Sequence, residues 1–148
     1  MTGGALSLNR TFNGYGEVDG QAVTVGGQPA ASWNLTRDNA GRITTKTETV
    51  GGASSTYASA YDPVGWLLTV TKDRTLVEEY RYDPVTGIRS YDINALRGIS
   101  GRSMSYSVED HLLSAGDTTY QYDVDGFLTN KTNGTNQTLY SILPVANS

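Results

Sequence analysis

The sequence predicts an all-β chain of antiparallel hairpins, and three features of it carry that prediction. A short motif headed by Tyr-Asp and closed by Gly returns along the chain. The stretches between copies alternate apolar and polar residues with period two. The composition favours strands and turns: 17 Gly and 10 Tyr stand among 148 residues, and Thr, Ser and Asn are abundant. A hydrophobic fraction of 37% suits a sheet with one wet face, where only alternate residues need be apolar.

The motif is clearest at Tyr61-Asp62-Pro63-Val64-Gly65, at Tyr82-Asp83-Pro84-Val85-Thr86-Gly87 with one insertion, and at Tyr122-Asp123-Val124-Asp125-Gly126. Degenerate copies read Arg37-Asp38-Asn39-Ala40-Gly41 and Tyr106-Ser107-Val108-Glu109-Asp110, the second with Asp in the Gly place. A looser one is Tyr15-Gly16-Glu17-Val18-Asp19-Gly20. Leading residues at 15, 37, 61, 82, 106 and 122 give spacings of 22, 24, 21, 24 and 16, and Tyr140 follows 18 later without its Asp. In each copy the Asp side chain can accept from backbone N–H groups two or three residues on. Pro63 and Pro84 preset φ for the turn. Gly supplies the positive φ that other residues resist.

The segments between motifs read as hairpin strands. Trp66, Leu68 and Val70 alternate with Leu67, Thr69 and Thr71, and Lys72-Asp73-Arg74 makes a turn. Leu76 to Tyr82 returns, with Leu76, Tyr80 and Tyr82 on one face and Glu79 and Arg81 on the other. Phe127 to Thr132 runs out, Asn133-Gly134 turns, and Gln137 to Ile142 returns. Gly51-Gly52 and Ala115-Gly116-Asp117 mark turns in the copies between. Tyr at fixed strand positions is expected to stack into ladders between copies.

Several function classes are disfavoured. The chain has no Cys, so disulfide staples and thiolate metal sites are excluded. Net charge is −4 with both signs scattered and no basic run, which argues against nucleic-acid binding. No apolar run reaches the roughly 18 residues of a membrane span. Met1 to Arg10 lacks a basic segment followed by an apolar stretch and does not read as a signal peptide.

The pattern resembles the Rhs/YD-repeat family. The resemblance rests on Tyr61-Asp62 through Gly65, Tyr80-Arg81-Tyr82-Asp83, and Tyr120-Gln121-Tyr122-Asp123 through Leu128. It covers residues 33–142 well and 12–32 weakly. The family's usual Gly-Arg-Leu continuation survives only as Gly41-Arg42-Ile43; Trp66, Phe127 and His111 replace the Arg elsewhere. The resemblance implies a continuous, spiralling antiparallel sheet, wound in large members into a shell around a toxic C-terminal segment, or used as a cell-surface adhesion module. Six units are too few to enclose another polypeptide, and no cargo segment or self-cleaving motif is recognisable here. The implied organisation is an N-terminal segment 1–14 that can be exchanged as a strand with a neighbour, repeats over 15–142, and a tail 143–148.

No residue pattern points to catalysis. His111 is the lone His and has no nucleophile pattern around it. Asp62, Asp83 and Asp123 recur because the unit does, each serving its own turn. Asp123-Val124-Asp125-Gly126 begins like a calcium loop, but Thr132 stands where the closing Glu belongs. The Gly14, Gly16 and Gly20 cluster fits no phosphate loop. Trp33, Trp66 and Phe127 are the candidates for a ligand surface. Asn-x-Thr triplets begin at Asn9, Asn34, Asn130, Asn133 and Asn136. The expectation is therefore a non-enzymatic structural protein without cofactor, extracellular or at the cell surface. It would assemble through its exposed sheet edges into an oligomer or filament. Alternatives are a glycan- or protein-binding adhesin and a fragment of a toxin-enclosing shell.

Overall fold

A computed structural model describes residues 4–141. Thirteen antiparallel strands, with one short 3-10 turn at Ala95–Arg97, make up the described residues. The all-β expectation holds. The chain divides into two units, the first ending at Glu79 and the second beginning at Tyr80.

The first unit contains β1 (Leu6–Phe12), β2 (Val18–Val25), β3 (Gln28–Arg37), β4 (Ile43–Val50), β5 (Ala53–Tyr61), β6 (Leu67–Lys72) and most of β7 (Thr75–Tyr82). Each strand pairs with its neighbours in sequence. Leu6–Phe12, within the N-terminal segment 1–14, forms β1 against β2 of the same chain. The second unit holds the end of β7, then β8 (Arg89–Asn94), β9 (Ile99–Tyr106), β10 (Leu112–Ala115), β11 (Thr118–Tyr122), β12 (Leu128–Asn133) and β13 (Asn136–Leu139). Ile142 and the tail 143–148 lie outside the described residues.

Two kinds of turn alternate. Two-residue loops close one end: Gly26-Gly27, Gly51-Gly52, Asp73-Arg74, Gly116-Asp117 and Gly134-Thr135 each join directly paired residues such as Val25↔Gln28 and Lys72↔Thr75. Asn133 is thus the last paired residue of β12, and Gly134-Thr135 forms the loop. Asp73 and Arg74 adopt φ of 50° and 69° without being glycine, the conformation that a mirror-image hairpin turn demands. Asp73 is held there, because its Oδ1 accepts from Thr56 N at 2.7 Å. The Tyr-Asp motifs close the other end.

Burial is sparse. Among the described residues only Val77 and Ala115 are buried apolar side chains, at 7% and 5% exposure. The strands are therefore held by backbone ladders and cross-strand pairs more than by a packed core. Hydroxyl pairs span Thr49–Ser54 (2.7 Å) and Ser105–Ser114 (2.6 Å). On the first unit, Glu48 gathers Lys46 and the Tyr57 hydroxyl, while the Lys46 and Lys72 ammonium groups lie 5.5 and 5.4 Å from the Tyr57 ring centroid. In the second unit Asp92, 3% exposed, takes a bidentate grip from Arg102 at 2.7 and 3.1 Å.

Two strand readings are corrected by bulges. The alternation from Trp66 fails because Trp66 belongs to the turn and β6 begins at Leu67, with the register shifting before Thr69. In β7 the register shifts between Leu76 and Glu78; Val77 is buried, while Leu76 is 44% exposed. An inserted residue reverses the facing of everything before it.

Candidate functional site at the turn rim

Six turns share one construction. The Asp, Asn or Ser after the leading residue exchanges backbone hydrogen bonds across the loop, as in Asp62 N to Trp66 O (2.9 Å) and Gly65 N to Asp62 O (3.1 Å). Its side chain collects the N–H groups left inside the loop. Asp62 Oδ1 accepts from Val64, Gly65 and Trp66 N at 3.0, 2.7 and 2.8 Å. Asp123 Oδ1 accepts from Asp125 and Phe127 N at 3.0 and 2.9 Å. Asp83 accepts from Val85 and Thr86 N and from the Thr86 hydroxyl, and these bonds hold its carboxyl below the usual carboxylate range, the Thr86 amide contributing most. Asp38 does the same for Ala40 and Arg42 N, and its pKa is lowered chiefly by the Arg42 side chain at 2.7 Å. Ser107 serves with its hydroxyl, and Asp110 takes the Gly place at φ 65°.

The first turn is registered differently from the sequence reading. Asn13, not Gly16, does the work of Asp: its Oδ1 accepts from Tyr15 and Glu17 N at 2.9 and 3.0 Å. Phe12 is then the leading residue, and Gly16, at φ 79°, closes the turn. Tyr15 stands in the loop, 92% exposed. The Gly14 and Gly16 cluster thus serves a turn.

After five of the turns the leading residue pairs with the residue six further on: Phe12↔Val18, Arg37↔Ile43, Tyr61↔Leu67, Tyr106↔Leu112 and Tyr122↔Leu128. A one-residue bulge follows at Asp19, Thr44, Leu68, Leu113 and Thr129.

At three of the turns the leading tyrosine joins its turn to the preceding one through its hydroxyl. The Tyr61 hydroxyl donates to Ile43 O at 2.8 Å, Tyr106 to Arg89 O at 2.9 Å and Tyr122 to Leu112 O at 3.0 Å. In each case the acceptor lies just past the preceding turn. At two of these junctions the residue after the preceding turn's Gly, or after Asp110 in its place, covers the ring. The Arg42 guanidinium lies 4.9 Å from the Tyr61 centroid, and His111 stacks on Tyr122 at 4.7 Å and 19°. The same side chains cross the next glycine. A Cβ on Gly65 would stand 3.4 Å from Arg42 Nη1, and one on Gly126 would stand 3.0 Å from the His111 ring. Positive φ calls for Gly at both positions, and at Gly126 the His111 ring leaves a side chain little space as well.

The junction between the first two turns departs from this rule. Arg37 occupies the leading place, so no ring is present. Its guanidinium donates to Gly41 O at 3.0 Å and lies 3.6 Å from Glu17. A cleft of about 690 Å³ opens there, lined by Asn13, Tyr15, Glu17, Asp19, Leu35, Arg37 and Asp38, among others. Asp19 Oδ1 is buried without a hydrogen-bond partner, a cost of about 1–3 kcal/mol, while Arg37 Nε has none either but faces the Glu17 carboxylate at 3.6 Å.

The candidate ligand aromatics come from separate elements. Trp33 lies mid-strand in β3 opposite Gln21 and Glu48, Trp66 follows the third turn, and Phe127 belongs to the other unit. None of them lines the cleft. Tyr82, Asp83 and Gly87 form the fourth turn, lengthened by its inserted residue, with Gly87 N on Asp83 O at 2.9 Å.

Hairpins closed by Asp-capped, bulged turns and joined through Tyr hydroxyls define a YD-type repeat sheet. The chain belongs to the Teneurin YD-shell family, whose model matches residues 2–141. It is 30% identical to mouse Teneurin-3 over 93 residues, which is 62% of this chain and 3% of that protein. Among solved structures, a chain of the Photorhabdus luminescens Tc holotoxin pore aligns over 92% of this chain and 8% of its own length, at TM-score 0.65 and 19% identity. A chain of the TcdB2-TccC3 complex lacking its hypervariable C-terminal region aligns over 86% of this chain and 9% of its own, at TM-score 0.53 and 13% identity. These likenesses speak to fold. The chain spans a small part of each relative's length.

Proposed function

We propose that this chain is a non-enzymatic scaffold element that extends a YD sheet by strand pairing at its edges, with copies of itself as partners, outside the cell or at its surface. The observation that carries the reading is an open half-junction at the first turn. Among the described residues no atom lies within 4 Å of where a Cβ on Gly16 would stand, whereas Arg42 and His111 lie beside Gly65 and Gly126. Phe12, the leading residue there, is 58% exposed, and every residue of β1 is exposed. Such an edge is a template for another hairpin. Exchange of the 1–14 segment between copies is one route to it.

Sedimentation velocity with negative-stain electron microscopy tests the reading. Concentration-dependent oligomers or polymers are expected, and a monodisperse monomer at high concentration would overturn it. A second reading, a wall segment of a larger shell, is favoured by the 3% and 8% shares of the relatives. It predicts that the chain co-assembles with flanking YD repeats and stays monomeric alone. Adhesin use of Trp33, Trp66 and Phe127 would appear as glycan or protein binding lost on Trp66→Ala.

A further inference from the structure

We propose that the cleft between the first two turns receives the phenol ring of a tyrosine side chain presented by a partner peptide. The chain's own junctions show what shape fills this place. At Tyr61 and Tyr122 a phenol lies against the side chain from the preceding turn, at 4.9 and 4.7 Å, and its hydroxyl donates to a backbone carbonyl. At the first junction Arg37 stands where the ring would be rooted, and the cleft of about 690 Å³ lies beside it. That volume falls within the range of ligand pockets. Tyr15 does not fill it, being 92% exposed.

The lining suits a neutral phenol. Arg37 offers a planar cation for the ring face, a pairing this chain makes repeatedly: Arg42 with Tyr61 at 4.9 Å, Arg81 with Tyr91 at 4.5 Å and Arg89 with Tyr80 at 5.4 Å. Glu17 and Asp19 supply carboxylates for the hydroxyl proton. Of the three buried polar atoms without a hydrogen-bond partner among the described residues, two, Asp19 Oδ1 and Arg37 Nε, belong to this junction. The Glu17 carboxylate at 3.6 Å offsets Arg37 Nε, so Asp19 Oδ1 is the acceptor left open. Glu17, Asp19 and Asp38 outnumber Arg37, which disfavours a phosphorylated or sulfated ring. The inference is independent of edge pairing, because it concerns the rim between two turns of one unit.

The test is an NMR titration of the ¹⁵N-labelled full chain with N-acetyl-L-tyrosinamide, N-acetyl-L-phenylalaninamide and methyl α-glucoside. Saturating amide shifts confined to Asn13, Glu17, Arg37 and Gly41 are expected with the tyrosine probe. The phenylalanine probe, lacking the hydroxyl donor, should bind about five-fold more weakly. Arg37→Tyr fills the cleft from within and should abolish the response while the second unit's spectrum stays unchanged. If that variant does not fold, Arg37→Met removes the cation and should weaken binding several-fold. Absence of shifts at the cleft, equal binding of both aromatic probes, saturation by the glucoside alone, or undiminished binding to the folded variant would each overturn the proposal.

Discussion

Replacing Asp62 by Ala removes the carboxylate and strands two backbone donors, Val64 N and Trp66 N, because Gly65 N also donates to the retained Asp62 backbone O at 3.1 Å. Asp62 Oδ1 accepts from Val64, Gly65 and Trp66 N at 3.0, 2.7 and 2.8 Å. A net hydrogen bond is worth about 1 kcal/mol, and more where the acceptor is charged. The loop borders solvent, so water recovers part of the loss. The nearest measured analogue is a helix N-cap, whose removal costs about 0.5–2 kcal/mol. With two donors stranded and a third left with one of its two acceptors, the upper part of that range applies, and we expect Asp62→Ala to cost about 2 kcal/mol. In a chain of this size that lowers the melting temperature by roughly 4–8 °C. Asp62→Asn keeps the accepting oxygen, as Asn13 does natively in the first turn, and should cost less than about 0.5 kcal/mol. Urea denaturation followed by far-UV circular dichroism measures both. Equal losses for Ala and Asn would refute the hydrogen-bond account in favour of charge. No loss for Ala would mean that Pro63 and Gly65 set the turn alone.

Further outcomes follow from the same geometry. Arg102→Met leaves the Asp92 carboxylate buried without its partner and should cost about 3–5 kcal/mol in chemical denaturation. Tyr122→Phe removes the bond to Leu112 O and should cost about 1 kcal/mol, while the stack with His111 persists. Gly126→Ala combines a φ of 83° with a 3.0 Å approach to His111; it should destabilise by more than 1 kcal/mol or so, and His111→Ala should relieve part of the loss. Asp38, Glu48 and Asp83 all have pKa values lowered by folding. Their contribution is complete above the unfolded carboxylate value, near pH 4, and is lost as pH falls through the lower folded values, so melting temperature should drop as pH falls below about 4.

Much of this protein is local, and what is local was legible in the sequence. Tyr-Asp-x-x-Gly fixes its own turn because the acceptor, the stranded N–H groups and the positive-φ residue all lie within five positions. Spacing between copies then fixed the number of hairpins. Degenerate copies were harder. Asn13 and Ser107 replace Asp by supplying the same oxygen, and only the hydrogen bonds showed that Phe12, not Tyr15, leads the first turn. The bulge after the turns was also hidden, because one inserted residue changes facing without any composition of its own.

The sequence by itself therefore determined the class of fold, the Asp-capped turn and its repetition. What only tertiary structure decided was how one turn meets the next. Tyr61 and Tyr122 were expected to stack on other tyrosines; their hydroxyls bind carbonyls past the preceding turn, and Arg42 and His111 cover their rings. Those partners lie 10 to 19 residues apart, so the bulged pairing of successive hairpins must bring them together. The cleft at Arg37 has the same origin: a missing ring has no consequence until its neighbours are in place.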